Sequence, residues 1–189
     1  MNSATYNIKS VLEADGKNYI PACRTFKAWL LSVPTNDQYC IWRYIKYMRY
    51  VEYYTLRSKE SRTLKNRFVR LWYLYKLRKM SYATGFQIPP FTCGKGLTIW
   101  HWGSIVINEN VRIGENCTLY PGVLIGWKGI LDKRCPKIGN NVFIGAGTKI
   151  IGGVNIGDNV IIGQNMVITK DIPSGSVVVS KSEYRFLHK

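Results

Sequence analysis

The second half of this chain repeats an aliphatic residue every six positions. The repeated positions are Ile107, Ile113, Leu119, Ile125, Ile138, Ile144, Ile150, Ile156, Ile162 and Ile168. Glycine follows most of them, and a second file of small or medium residues lies four positions after each. A period of six fits neither an α-helix nor a β-hairpin, whose periods are about 3.6 and 2 residues. The repeat therefore predicts a parallel β-helix.

If each hexapeptide supplies one short strand and one turn, three of them close a triangular coil of about 18 residues. The aliphatic files of successive coils would then stack into a continuous dry core. The repeat is interrupted once, because Ile125 and Ile138 are 13 residues apart, which is not a multiple of six. Residues 126–136 are therefore predicted to leave the coil as a loop, and this loop is a first candidate for function.

The first half of the chain is basic and aromatic. Residues 1–86 hold 16 of the 27 lysines and arginines against 5 acidic residues. Apolar residues recur there with helical spacing and predict two amphipathic helices. One apolar stripe comprises Ile41, Ile45, Met48 and Val51, and the other comprises Leu64, Phe68, Leu71 and Tyr75. We expect an α-helical region at 1–84, a β-helix domain at 85–180 and a C-terminal tail at 181–189.

Three roles are open to the basic helices. They pack as a cap whose charges face water, which is the commonest use of such charge runs, or they lie on an anionic membrane surface, or they bind nucleic acid. Nucleic acid ranks last, and we expect none as a partner, because no recognition motif is present and charge alone gives only non-specific affinity. The start of the chain lacks a signal-peptide pattern and no apolar run is long enough to span a membrane. We therefore expect a cytoplasmic protein, with peripheral contact at the inner membrane face through these helices.

The five cysteines are widely spaced and form no CxxC pair. They are Cys23, Cys40, Cys93, Cys117 and Cys135. This pattern predicts free thiols, with neither a disulfide framework nor a metal site.

Two segments carry a family resemblance. They are GFQIPPFTCGKGLTIWHWGSIVINENVRIGENCTLYPGVLIG, which begins at Gly85, and CPKIGNNVFIGAGTKIIGGVNIGDNVIIGQNMVITKDIPSGSVVV, which begins at Cys135. Together they resemble the hexapeptide-repeat acyltransferases, in the branch of serine O-acetyltransferase, and their pattern is similar to that of capsule, O-antigen and exopolysaccharide O-acetyltransferases. The resemblance implies a mainly β fold, a left-handed parallel β-helix with an N-terminal α-helical cap. It also implies a homotrimer with active sites in clefts between neighbouring β-helices, and acetyl-CoA as donor.

His101, in the segment WHWG, matches the general base of the serine enzymes. A hydroxyl that attacks a thioester must lose its proton, and an imidazole with an ordinary pKa of about 6.5 is suited to accept it. The resemblance also implies a donor site in which the pantetheine arm passes Gly126 and Trp127 on one side and Ala146 and Gln164 on the other. Lys170 is expected near the nucleotide phosphates, although a solvated lysine explains it equally well.

The chain departs from the serine enzymes at their substrate-handling residues. Trp100 stands where they have an aspartate before the base, Cys135 replaces their second histidine, and their upstream aspartate falls at Phe86 or Gln87. The helical region is also shorter, whereas Arg134 matches their carboxylate-binding arginine.

These departures favour a sugar or lipid-linked saccharide as acceptor in polysaccharide biosynthesis. Trp100 and Trp102 would then stack on the sugar, unless they pack at a trimer interface. Serine O-acetylation in cysteine biosynthesis is the alternative, and a non-catalytic β-helix scaffold is the third possibility. We interpret Cys135 as non-catalytic, since its local sequence supplies no base.

Overall fold

The computed structural model describes residues 6–19, 37–61 and 63–180. Cys23 and the expected C-terminal tail at 181–189 lie outside these residues. The described chain begins with three α-helices, α1 (Ile8–Gly16), α2 (Asp37–Glu60) and α3 (Leu64–Thr84). Thirteen short β-strands follow. None of the helices described is both long enough and apolar enough to cross a membrane.

The strands form three parallel sheets, each of which takes one strand from successive coils. Sheet 1 contains β1 (Phe86–Gln87), β3 (Ile105–Ile107), β6 (Leu124–Gly126), β9 (Lys149–Ile151) and β12 (Val167–Ile168). Sheet 2 contains β4 (Arg112–Ile113), β7 (Lys137–Ile138) and β10 (Asn155–Ile156). Sheet 3 contains β2 (Thr98–Ile99), β5 (Thr118–Leu119), β8 (Phe143–Ile144), β11 (Ile161–Ile162) and β13 (Val177–Val178).

The strand register reflects the hexapeptide repeat. Val106 pairs with Leu124 and Lys149 pairs with Val167, so these neighbours are 18 residues apart. Leu124 pairs with Lys149, which is 25 residues away, and the seven extra residues belong to the segment between β6 and β7. That segment contains no strand, and Ile130 and Leu131 within it are fully exposed. The predicted left-handed parallel β-helix with an N-terminal helical region is confirmed.

The core of the β-helix consists of the repeated aliphatic residues. All ten positions of the repeat are buried, with at most 6% of any side chain exposed. At the corners, asparagines adopt left-handed backbone angles with φ near 55°, which few other residues tolerate. Three of them also form a ladder, because the amide of Asn116 donates to Asn141 and that of Asn141 donates to Asn159.

The predicted apolar stripes of the two long helices differ in burial. The predicted stripe of α2 is confirmed, since Ile41, Ile45 and Met48 are fully buried and Val51 nearly so. The predicted stripe of α3 is present but does not face the core. Its members point outward, with exposed fractions of 69%, 70%, 52% and 60% for Leu64, Phe68, Leu71 and Tyr75.

Helix α3 packs instead through the opposite face. Leu77, Met80 and Thr84 are its buried residues. The ring of Tyr73 stacks on Tyr50 of α2 at 4.5 Å between centroids. A helical period predicts that one face is buried, but it does not say which of two apolar faces that is, and here the aromatic stack with α2 decides.

A buried cluster of charges joins the helices to the first coil of the β-helix. The guanidinium of Arg49 donates to Asp15 at 2.7 Å and to Glu52 at 3.1 Å, and also to the backbone carbonyls of Cys93 and Gly94. All three charged side chains are at most 2% exposed. Burial by itself lowers the pKa of Arg49, but the charges of Glu52 and Asp15 raise it above its ordinary value. The arginine therefore remains charged inside this contact.

The two acids of this cluster complete the contact with the β-helix. Asp15 accepts hydrogen bonds from the backbone N–H groups of Gly96 and Leu97, at 2.6 and 2.9 Å. Glu52 accepts one from the backbone N–H of Phe91 at 2.6 Å, and another from the hydroxyl of Tyr6. The helices are thus held in one position relative to the β-helix, and this position determines which helical residues reach its turns.

Candidate active site

His101 lies in the turn that follows strand β2. Its backbone has φ of 63°, a left-handed conformation that is uncommon for a residue other than glycine. Its side chain is 68% exposed. The strand before the turn is held from the helical side, because the hydroxyl of Tyr19 donates to the carbonyl of Ile99 at 3.0 Å and accepts from its N–H. Backbone strain of this kind is often retained where it directs a functional side chain.

The first residue of α2 lies next to this histidine. The carboxylate oxygen Oδ2 of Asp37 is 3.7 Å from Nδ1 of His101, and the Asp37 side chain is 35% exposed. The two residues are 64 positions apart in the sequence, and no motif around His101 indicated Asp37. The only local signal is an acid in the first turn of a helix, where an acid stabilises the helix end in any case.

This pair has the arrangement of an oriented base. A carboxylate near Nδ1 favours the tautomer with its proton on Nδ1, which leaves Nε2 free to accept a proton. The distance of 3.7 Å is longer than a hydrogen bond, and such contacts commonly tighten when substrate binds. The carboxylate therefore comes from the helical region, while the imidazole comes from the β-helix.

The residues that align with the upstream aspartate of the serine enzymes cannot supply the carboxylate that Asp37 supplies. Phe86 is fully buried in the core, Gln87 is exposed, and neither carries a carboxylate. The two tryptophans beside His101 differ in exposure, since Trp100 is half-buried whereas Trp102 is 42% exposed.

Three of the predicted site residues share one corner of the β-helix. The turns after β2, β5, β8 and β11 are stacked by backbone hydrogen bonds such as Tyr120 N–H to Ile144 O and Asn165 N–H to Ala146 O. His101 lies in the first of these turns, Ala146 in the third and Gln164 in the fourth. Strands in a sheet are about 4.8 Å apart, so Ala146 lies roughly 10 Å along the corner from the level of His101.

The other predicted donor-site residues lie at the opposite edge of sheet 1, which is the corner of the β-helix where the strands of that sheet end. Gly126 ends β6 and is buried, and Trp127 follows it with 45% of its surface exposed. Lys170 is exposed and follows β12, two strands further along the same edge. Within one chain, sheet 1 therefore separates these residues from His101, Ala146 and Gln164.

Arg134 and Cys135 lie at the end of the loop before β7. The guanidinium of Arg134 is exposed and forms two hydrogen bonds of 2.9 Å with Asp132. The hydrogen bonds from Arg134 lower the pKa of the Asp132 carboxyl to about 2. Burial raises the pKa of the Cys135 thiol, whose sulfur contacts the side chain of Asn108. A raised thiol pKa disfavours the thiolate, which agrees with our interpretation of Cys135 as non-catalytic.

Comparison with known proteins identifies the same hexapeptide repeat. Residues 135–170 match the family described as bacterial transferase hexapeptide (six repeats). Over 100 residues the chain is 43% identical to a serine acetyltransferase of Helicobacter pylori, and the match covers 52% of this chain and 58% of the relative. A serine acetyltransferase of Staphylococcus aureus is 45% identical over 100 residues, and that match covers 52% of this chain and 47% of the relative. The chain thus spans about half the length of the curated relatives it matches.

Solved structures extend the likeness to the helical region. The Neisseria gonorrhoeae serine acetyltransferase in complex with serine is 26% identical, with a TM-score of 0.61, and the match covers 92% of this chain and 66% of that one. An Entamoeba histolytica serine acetyltransferase, solved in complex with cysteine, is 22% identical with a TM-score of 0.66 and shares the fold.

The resemblance to hexapeptide-repeat acyltransferases is therefore confirmed, but the prediction of a polysaccharide acceptor is wrong. The relatives and structures named here are serine acetyltransferases. Three arguments led to the error, namely the absent acids near His101, the replacement of the second histidine by Cys135, and the short helical region. The structure supplies an acid from α2, and the match to the Neisseria gonorrhoeae enzyme covers 92% of this chain. A role for Trp100 and Trp102 in stacking on a sugar loses its basis with this correction.

Proposed function

We propose that this hexapeptide-repeat protein is an acetyl-CoA-dependent serine O-acetyltransferase, the alternative that the sequence left open. The observation that carries the proposal is the pair formed by His101 and Asp37, at 3.7 Å, in an exposed turn of the β-helix. The identity of 43% over 100 residues with a serine acetyltransferase supports the same reaction. A scaffold would have no need for a base in a strained turn beside a carboxylate.

The reaction begins with the serine hydroxyl. Nε2 of His101 accepts the hydroxyl proton as the serine oxygen attacks the thioester carbonyl of acetyl-CoA. Asp37 stabilises the imidazolium that forms. The tetrahedral intermediate then collapses, the carbon–sulfur bond breaks, and the imidazolium returns its proton to the departing thiolate. O-acetylserine and CoA leave, and no acyl-enzyme is formed.

The donor site follows the corner that holds His101. We place the pantetheine arm along the turns that contain Ala146 and Gln164, so that its thioester reaches His101. Small residues there let an extended chain lie close to the backbone. Gly126, Trp127 and Lys170 lie at the other edge of sheet 1, so we assign them to the opposite wall of a cleft completed by a neighbouring subunit.

This cleft requires an oligomer, and we propose a homotrimer. Apolar side chains of the β-helix remain exposed in the single chain, among them Ile161 at 49%, Val167 at 63% and Val177 at 63%. Packing β-helices side by side would cover such residues and create the clefts between subunits.

Serine also offers a carboxylate for recognition, and this group suits a guanidinium such as that of Arg134. Arg134 is fully available only when it leaves Asp132, with which it forms an ion pair. Cys135 replaces the second histidine of the serine enzymes, so the proposal depends on His101 as the single histidine base.

The test is serine-dependent release of thiol from acetyl-CoA. We expect purified protein to release CoA in the presence of L-serine and to form O-acetylserine, identified by mass spectrometry. L-alanine, which lacks the hydroxyl, is the matched control and should give no release above background. Binding of CoA without serine-dependent release would contradict the proposal and favour a scaffold.

A further inference from the structure

The exposed face of α3 carries a stripe of apolar and aromatic side chains. Five side chains form what we term the outer stripe, namely Leu64, Phe68, Leu71, Tyr75 and Tyr82. They follow one another at intervals of four, three, four and seven residues, so they lie on one side of the helix. Each is at least 52% exposed. The residues that bury α3 in the protein, such as Leu77 and Met80, lie on the opposite side.

Cations flank the outer stripe on both sides. Helix α3 contains six lysines and arginines and no acidic residue, and the sequence has no acid between Glu60 and Glu109. From the helical period of about 100° per residue, Arg67 and Arg78 lie on one flank and Lys65 and Lys79 on the other. This is the distribution of a helix that lies in the plane of a membrane surface, where apolar residues enter the lipid and long basic side chains reach the headgroups.

A basic pocket opens on one flank of the stripe. It has a volume of about 390 Å³ and lies between the end of α2 and the start of α3. Its lining residues are Thr55, Ser58, Lys59, Arg67 and Arg70. Two guanidinium groups and an ammonium group that line one pocket are suited to a phosphate oxygen.

We propose that α3 docks the protein on an anionic lipid bilayer. The outer stripe inserts among the lipids, and the basic pocket receives the phosphate of a lipid headgroup. A second copy of the chain is a poorer occupant, since an isologous contact would bring the cations that flank the two stripes against one another. An anionic surface complements both the charge and the apolar stripe. The proposal does not depend on the identity of the acetyl acceptor.

Sedimentation with vesicles tests the docking directly. We expect the full-length protein to pellet with phosphatidylcholine vesicles that contain about 30% phosphatidylserine, at least about tenfold more than with pure phosphatidylcholine vesicles. About 0.5 M salt should release most of the protein, because the electrostatic attraction is screened. Equal binding to both vesicle types, or no binding to either, would overturn the proposal.

Two variants localise the contact. Phe68→Glu places an acid in the centre of the outer stripe and should reduce binding to anionic vesicles by about tenfold or more. Arg70→Gln should weaken binding through the pocket while leaving the stripe intact. Val179→Glu is the matched control, because Val179 is 70% exposed but lies at the far end of the β-helix, and it should bind as the wild type does.

Circular dichroism and gel filtration distinguish the remaining outcomes. Phe68→Glu should keep the wild-type spectrum and elution volume, since Phe68 is 70% exposed. If Phe68→Glu bound the vesicles as well as the wild type, the stripe would not be the docking surface. A smaller assembly of this variant would show that a second copy covers the stripe and would also overturn the proposal. Binding of inorganic phosphate to the protein, without vesicle binding, would restrict the pocket to soluble anions.

Discussion

The β-helix and the helical region bury their residues by different chemistry. In the β-helix each hexapeptide, or rung, buries one aliphatic residue, and all ten of these positions are buried. The helical region attaches to the β-helix through Arg49, Asp15 and Glu52, together with tyrosine hydroxyls that bond to its backbone. The first kind of contact is distributed over many equivalent residues. The second kind depends on a few side chains with no substitutes, and this difference can be tested by mutation.

The largest effect on stability should come from the buried charges. Arg49→Met would leave Asp15 and Glu52 without their buried cation, and we expect the free energy of unfolding to fall by about 3–5 kcal/mol. Urea denaturation measures the change. Arg57→Met, at an exposed position of the same helix, is the control and should cost less than about 1 kcal/mol. Equal effects of the two variants would mean that the charge cluster does not hold the helices.

A core position in the β-helix should be somewhat less sensitive. Ile144 is fully buried in β8, and Ile144→Ala should destabilise the protein by about 3 kcal/mol through lost burial and the cavity left behind. Denaturation curves for Thr169→Ala, at an exposed position in the same domain, should shift by no more than about 0.5 kcal/mol. A loss below about 1 kcal/mol for Ile144→Ala would show that the rungs readily collapse around a gap.

Alkaline pH should weaken the contact between the two regions. Burial raises the pKa of Tyr6, Tyr19 and Tyr44, and the hydroxyls of Tyr19 and Tyr44 bond to Ile99 and Ile88 of the β-helix. These tyrosines stay protonated in the folded protein but ionise near pH 10 when unfolded. Their stabilising contribution is therefore complete below about pH 10 and is lost above it, by up to about 1.4 kcal/mol per pH unit for each tyrosine.

Denaturation at a series of pH values checks this dependence. The wild type should lose stability between about pH 10 and 11, and Tyr19→Phe should reduce the slope. Tyr82→Phe, at an 81% exposed position of α3, should leave the slope unchanged. A wild-type stability that stays constant up to about pH 11 would contradict the account.

The same difference explains what the sequence could predict. The β-helix was predictable because each rung repeats the same chemistry at a fixed spacing, and the position of His101 followed from a motif beside it. The contacts between the helices and the β-helix join residues far apart in sequence, such as Arg49 with Asp15 and Gly94. No local sequence pattern predicts such contacts. The outward direction of the α3 stripe was missed for a related reason, since a stripe of apolar residues does not say what covers it.

The error about the acceptor has the same origin. We inferred a different substrate because the acids expected near His101 were absent from the surrounding sequence. The structure instead brings Asp37 to His101 from 64 residues away. A missing residue in a motif therefore excludes a function only if no other part of the fold can supply the same group.

The central claim is that the two regions form one site, in which Asp37 acts through His101. A double-mutant cycle on kcat/KM for L-serine tests it most directly. We expect His101→Ala to lower kcat/KM by about 10² to 10⁴ and Asp37→Asn to lower it by about tenfold or more. The double variant should be no slower than His101→Ala, within about twofold, because an aspartate that orients a base has nothing left to orient. A double variant slowed by the full product of the two single effects would contradict the account.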